Sequence, residues 1–186
     1  PIGKKKTHVI GINPSQITTE DLAVSLQPAA NYVPTDGYSK VAAVERHHNT
    51  GKIGVAVAKG YGIRNGAVAS SVSHDSHNII VIGDNDRDMA LAVDEIIRTQ
   101  GGYTVVENGE VFETLPLPIM GLMSDAGFES VNETLGRMIK KAHEMGVPAD
   151  IEPFITLSFL ALPVIPTLRI TPRGLCLLTA KIGRAH

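Results

Sequence analysis

Ile79-Ile80-Val81-Ile82 is the stretch that most narrows what this chain can fold into. Four consecutive apolar residues, all β-branched, closed by Gly83 and succeeded at once by polar residues, describe a strand covered on both faces. The next stretch is helical. Asn85 is a good N-cap, and Asp86 and Asp88 put negative charge in the first turn. Met89, Ala92, Val93, Ile96 and Ile97 recur at helical spacing until Gly101-Gly102. Asp84, Asp86 and Asp88 open like a calcium loop, but its glycine and closing glutamate are missing, so helix capping accounts for them.

Around that unit the chain alternates like strands. Residues 7–12 form a β-branched run ending at the turn signal Asn13-Pro14. Residues 38–47 and 52–58 are two further runs joined by the short His48-Asn49-Thr50-Gly51, which makes them antiparallel neighbours. The glycine-rich segment 60–66 is a tight connection into a strand at 67–72; it lacks both phosphate-loop patterns. Residues 103–115 form a hairpin about Asn108-Gly109, the pair that suits a type I′ turn. A second helix is expected over 129–145, with Ser130 and Glu133 as a capping box and a stripe of Val131, Leu135, Met138, Ile139 and Ala142. Residues 153–170 are strongly apolar but interrupted by Pro163 and Pro166, which suits buried strand and turn better than a membrane span. The expected fold is therefore α+β: a mixed or largely antiparallel β-sheet packed with two main helices.

Composition excludes some classes. The 186 residues suffice for one domain, and a net charge of -2 with no basic stripe argues against nucleic acid as a partner. The run Lys4-Lys5-Lys6 reads as a solvated terminus. Cys176 is the single cysteine, so there is no disulfide framework; it reads as a buried structural thiol in a reducing, cytoplasmic setting. No signal peptide or membrane segment is visible. Residues 181–186, Lys-Ile-Gly-Arg-Ala-His, have no apolar period and resemble the translation of a sequencing-library adapter. They are expected to be a non-native tail on a domain spanning 1–180.

Candidate chemistry gathers in two segments that hold four of the seven histidines: 45–51, Glu-Arg-His-His-Asn-Thr-Gly, and 70–78, Ser-Ser-Val-Ser-His-Asp-Ser-His-Asn. His74 and His77 lie three apart and share a face on a helical turn. His47 and His48 would point to opposite faces of a strand, so at most one joins that pair; Glu45 would share a face with His47, and Arg46 with His48. The candidate metal ligands are His47, His48, His74 and His77, with Asp75 as a further ligand or an orienting carboxylate. Glu45, Arg46, Asp75 and Asn78 are the candidate catalytic-motif residues. The same residues equally suit a polar network that only orders loops. A serine nucleophile at Ser70, Ser71 or Ser73 lacks the required elbow motif.

Taken together, the motifs resemble the C-terminal domain of the adenine deaminase family. The resemblance runs through V-x-x-V-E-R-H-H-N-T-G-K-I-G-V (41–55), K-G-Y-G-I-R-N-G-A-V-A-S-S-V-S-H-D-S-H-N-I-I-V-I-G (59–83), D-M-A-L-A-V (88–93), L-P-L-P-I-M-G-L-M-S-D (115–125) and P-F-I-T-L-S-F-L-A-L-P-V-I-P (153–166). It covers roughly residues 7 to 175, with Asn49 where the family often has glycine. The resemblance implies a cytoplasmic hydrolase of the amidohydrolase superfamily that converts adenine to hypoxanthine and ammonia in purine salvage. Its implied cofactor is a divalent metal (manganese, iron or zinc) in a two-metal barrel N-terminal to this domain. That barrel has no counterpart in these residues, so the isolated chain is expected to be inactive. The implied partners are its own barrel, adenine and further copies in a homo-oligomer. Two other readings stay open: a free-standing metal-binding or interaction module built on His47, His48, His74 and His77, and an amidohydrolase acting on another nucleobase or cyclic amide.

Overall fold

The computed structural model describes residues 7–24 and 37–178. The lysine run and the expected tail at 181–186 lie outside them.

The elements come in the order β1 (Thr7–Ile12), β2 (Thr19–Val24), β3 (Tyr38–Val44), β4 (Ile53–Lys59), β5 (Gly66–Ser70), β6 (Ile79–Gly83), α1 (Asp86–Arg98), β7 (Gly102–Glu107), β8 (Glu110–Pro116), α2 (Phe128–Glu144), α3 (Pro153–Leu160), β9 (Leu168–Thr171) and β10 (Gly174–Leu177). Eight strands form one sheet ordered β2-β1-β4-β3-β6-β5-β7-β8. Only β1 and β4 pair parallel; the other neighbours are antiparallel. The mixed, largely antiparallel α+β architecture expected from the sequence is the one observed.

Both faces of β6 are covered, as its apolar run requires. Val41, Ala43, Ile80 and Ile82 join α2, α3 and β9 in one core. Their strand neighbours Ala42, Ile79 and Val81 pack with α1 in a second. Successive side chains alternate between the two cores because the strand period is two. The β9–β10 hairpin lies close on β4: a Cβ on Gly54 would meet the Thr171 carbonyl at 1.9 Å, so no side chain fits there.

Helix α1 begins as expected, with Asn85 Oδ1 accepting the Asp88 amide at 2.8 Å. The Asn108-Gly109 turn has φ of 52° and 83°, as a type I′ hairpin needs. Four expectations need correction. The N-cap of α2 is Gly127, with no side-chain cap bond, so Ser130 and Glu133 form no capping box. The segment expected as buried strand and turn opens with α3, capped by Glu152 and started by Pro153, whose missing N–H costs nothing at that position. The strand read over 38–47 stops at Val44, leaving Glu45 to His48 in a loop. Cys176 is half-buried on the β10 edge hairpin, not buried in the core. Among the described residues no helix is long and apolar enough to cross a membrane.

Arg169 on β9 is wholly buried, and its hydrogen bonds go to backbone carbonyls. Nε donates to Ile165 (2.7 Å), Nη1 to Phe159 (2.9 Å), and Nη2 to Ile17 (2.7 Å) and Pro166 (2.8 Å). Burial lowers its pKa to about 10, so it remains a cation at neutral pH. One side chain thus ties the end of α3 to the loops after β1 and before β9.

Candidate functional site: a polar loop cluster at one end of the sheet

Strand register brings the two histidine segments together. Val44, the last residue of β3, sits opposite Ile79, the first of β6. Ser70, the last of β5, faces Ile80 on one side and Tyr103 on the other. Gly102 at the start of β7 faces Pro116 at the end of β8. Loops 45–52, 71–78 and 117–127 therefore leave the sheet at the same end.

The first loop is organised by Glu45. Its Oε1 accepts the amides of His47 (2.5 Å) and His48 (2.8 Å), and its Oε2 accepts the amide (3.1 Å) and hydroxyl (3.0 Å) of Thr50. The Thr50 amide foremost, with those of His48 and His47 and the Thr50 hydroxyl, holds the carboxyl at about 2. Asn49 sits at φ 49°, a left-handed conformation that asparagine tolerates.

Arg46 brackets all three loops. Nε donates to the His77 carbonyl (2.5 Å) and Nη2 to the Met120 carbonyl (2.8 Å), while its own amide donates to Asn78 Oδ1 (3.2 Å). A Cβ on Gly121 would meet Arg46 Nη1 at 2.3 Å, and Gly121 has φ 74°, so this position requires glycine twice over. Beneath it the buried Ser71 hydroxyl donates to the Gly121 carbonyl (2.6 Å) and accepts the Gly102 amide (2.8 Å). Asn78 Nδ2 donates to Ser76 Oγ (3.1 Å).

The 74–77 segment is a tight turn and not the helical turn expected, with His77 at φ 49°; the His77 amide donates to the Ser73 carbonyl at 2.6 Å, and the rings of His74 and His77 lie 5.9 Å apart. His77 Nδ1 accepts the Ser73 amide (3.3 Å), which leaves its proton on Nε2. Burial, followed by the charges of His74 and Arg46, pushes the pKa of His77 below the ordinary imidazole value, against an opposing pull from Asp75. His74 packs on Phe159 of α3, centroids 5.2 Å apart, and its amide reaches Ser158 Oγ at 3.4 Å. His47 Nε2 donates to the Ser76 carbonyl at 2.6 Å. His48 stands outside, its ring 6.5 Å from that of His47.

These bonds divide the candidates. Glu45 spends its carboxylate on its own loop, and Arg46 and Asn78 spend polar atoms on neighbouring ones, so the three order the site. The side chains of His74, Asp75 and His48 and the Nε2 of His77 make no hydrogen bond among the described residues, with His74 Nδ1 3.8 Å from Asp75 Oδ1, and can meet an outside group. His47 reaches the 74–77 turn through the Ser76 carbonyl, and His48 makes no such contact. The strand-face pairing of Glu45 with His47 and of Arg46 with His48 does not apply, because these residues lie in a loop. Ser71 is engaged structurally, which removes it as a nucleophile. Met120, Gly121, Ser158 and Phe159 are parts of the site that no sequence pattern assigned. The motif 115–125 contains Met120 and Gly121 but gives them no role by itself.

A divalent metal does not fit this cluster. Among the described residues no group of three or more His, Cys, Asp or Glu side chains is arranged to hold one. His47 Nε2 and His77 Nδ1 are each taken by a backbone group. The free-standing metal-binding reading therefore has no support here.

Comparison with known proteins agrees with the motifs. Residues 16–181 match the family model described as adenine deaminase C-terminal domain. The chain belongs to that family. It is 54% identical over 169 residues to an adenine deaminase of Desulfitobacterium hafniense, covering 90% of this chain and 30% of the relative. It is 50% identical over 178 residues to an adenine deaminase of Nitratidesulfovibrio vulgaris, covering 94% and 31%. A Listeria monocytogenes adenine deaminase is 43% identical over 180 residues, again 94% and 31%. The chain spans about a third of the length of the curated relatives it matches.

Proposed function

We propose that this chain is the C-terminal part of a cytoplasmic enzyme of purine salvage that hydrolyses adenine to hypoxanthine and ammonia. The observation that carries this reading is the identity to proteins named adenine deaminase along nearly the whole of this chain. Water adds at C6 of the purine ring and the exocyclic amine leaves as ammonia. The divalent metal (manganese, iron or zinc) would activate the water; its ligands belong to an amidohydrolase barrel outside these residues, since the histidines here do not fit one.

The role we assign to this domain is to cover the reaction site. The end of the sheet presents a rigid polar surface in which Glu45, Arg46 and Asn78 fix the loops, while His74, Asp75 and His77 remain available to a ligand or a facing domain. Such a cover excludes bulk water and strengthens every polar contact inside. A neutral His77, whose pKa is depressed, is suited to hydrogen-bond an uncharged heterocycle.

The test is an assay of adenine turnover by the full-length polypeptide, with and without residues 7–178. The expected result is ammonia and hypoxanthine from the full-length protein only, and no turnover by the 186-residue chain alone. Full activity after removal of the domain would refute the covering role. Activity on another nucleobase or a cyclic amide, and none on adenine, would refute the substrate.

A further inference from the structure

Next to the polar cluster, the domain leaves a large apolar surface uncovered. Ile119, Met120, Met123 and Phe128 are 44%, 76%, 54% and 78% exposed. They stand beside an open groove of about 470 Å³, lined by Leu117, Leu122, Val131 and Leu135 and by Tyr103 and Leu115 of the β7–β8 hairpin. Helix α2 runs along the groove. Of its 17 residues only Met138 and Ala142 are fully buried; Val131 and Leu135, the apolar stripe of its first half, pack against the core on one side and stay open to the groove on the other.

This surface is held in shape. The Leu122 and Met123 amides donate to the Ile119 carbonyl (3.1 and 3.2 Å), and the Ile119 amide donates to the Met123 carbonyl (3.1 Å). Arg46 secures the Met120 carbonyl and Ser71 the Gly121 carbonyl. Backbone polar groups are thus tied inward, and large apolar side chains are presented outward from an ordered turn. Exposed apolar patches of this kind mark interaction sites.

Chain length indicates the occupant. The family match is to a C-terminal domain, and relatives carry roughly twice as much chain again beyond the portion matched here. That remainder is tethered to this domain, which gives it a high effective concentration and lets a modest surface suffice. The patch is also continuous with the loops assigned above to the reaction site, because Arg46 touches both. Asp125, Glu129 and Glu133 are exposed around it, so the opposing surface should be apolar with a basic rim.

We propose that the Ile119–Phe128 surface and its groove are where this domain docks on the N-terminal remainder of its own polypeptide. The inference rests on the reading that the chain is one domain of a longer enzyme.

The experiment uses the full-length polypeptide carrying Met120→Asp and Phe128→Asp together, with Ile53→Asp on the opposite sheet face as control. Hydrogen exchange over 117–135 and the rate of limited proteolysis between the domains are read in each protein. Exchange in β3 and β6 reports on the fold in the same samples. Burial of two large apolar side chains predicts undocking by at least about tenfold in the double variant, with the sheet still protected. The Ile53 variant should behave as the parent. If the double variant loses sheet protection as well, the milder Met120→Gln and Phe128→Ser variants must still release 117–135 selectively, or the proposal falls. Unchanged exchange and proteolysis, release by Ile53→Asp instead, or separation of identical copies with the domains still docked would each overturn it. Adenine turnover in the parent separates the two claims. Turnover with insensitive docking refutes this surface alone; docking through this surface without turnover refutes the activity alone.

Discussion

Replacing Arg46 by methionine should open the end of the sheet without unfolding it. The substitution keeps most of the stem's apolar packing and removes two donors, Nε to the His77 carbonyl (2.5 Å) and Nη2 to the Met120 carbonyl (2.8 Å). Hydrogen bonds from charged groups contribute about 1.5–3 kcal/mol each when protected, and these two are only partly so. Half-burial of the guanidinium, which lowers its pKa, offsets part of the gain. The net local loss should be about 2 kcal/mol, roughly a thirtyfold rise in the open population of 117–123. Amide exchange at Leu122 and Met123 measures this directly, since both bonds close the turn that Arg46 holds. The amides of the β7–β8 hairpin near Asn108 should be unchanged. Arg46→Lys should fall between, because an ammonium cannot span both carbonyls in the same plane. Unchanged exchange at 122 and 123 would mean the turn holds itself. An equal loss throughout the sheet would mean Arg46 is a core residue and not a loop bracket.

Three other outcomes are expected from the same kinds of bond. Arg169→Met removes the donor of the Ile17 and Ile165 carbonyls, while those of Phe159 and Pro166 keep the Leu162 and Thr19 amides; it should cost about 2–4 kcal/mol, seen as a lower urea midpoint, and a loss under about 1 kcal/mol would contradict the clamp. Glu45 has a depressed pKa, so its contribution to the fold is complete above the ordinary carboxyl value of 4.5 and is lost as pH falls through about 2. Carboxyl-detected NMR should find its midpoint near the lower value, with the His48 and Thr50 amides moving together; a midpoint at the ordinary value would refute the loop geometry. His77 is also depressed, but it is a base, so protonation favours the unfolded chain. Stability should begin to fall as pH drops below 6.5 and stop falling once the lower folded value is passed. An imidazole midpoint at or above 6.5 would contradict its placement.

The parts of the fold that could be read from sequence are those set by near neighbours. Strand β6, helix α1 and the Asn108-Gly109 hairpin each carry their signal within a few residues. Helix α3 does not. Phe154, Leu157 and Leu160 are buried in the larger core and Ile155 and Phe159 are apolar too, so the period that identifies a helix is masked. Edge strand β2, Thr-Glu-Asp-Leu-Ala-Val, is half-exposed and too polar to stand out. The capping-box signature at Ser130 and Glu133 is present, but the helix starts at Phe128 after Gly127, which places the signature one turn too far in. In the site, the spacing of His74 and His77 is enough to pair them, because a single turn is local. That Arg46 and Asn78 are engaged with loops from other strands depends on register between β3, β6 and β8. No local pattern carries that information. Nor could sequence tell that Arg169 would be satisfied by carbonyls alone.

The most direct test of the covering role is steady-state adenine turnover by the full-length enzyme with His77→Ala, at matched metal content. The account predicts a fall in kcat/KM of about tenfold or more, the scale of one lost polar contact in a water-excluded site, with metal stoichiometry unchanged. Parent-like kinetics would contradict it, and so would a loss of metal in step with activity.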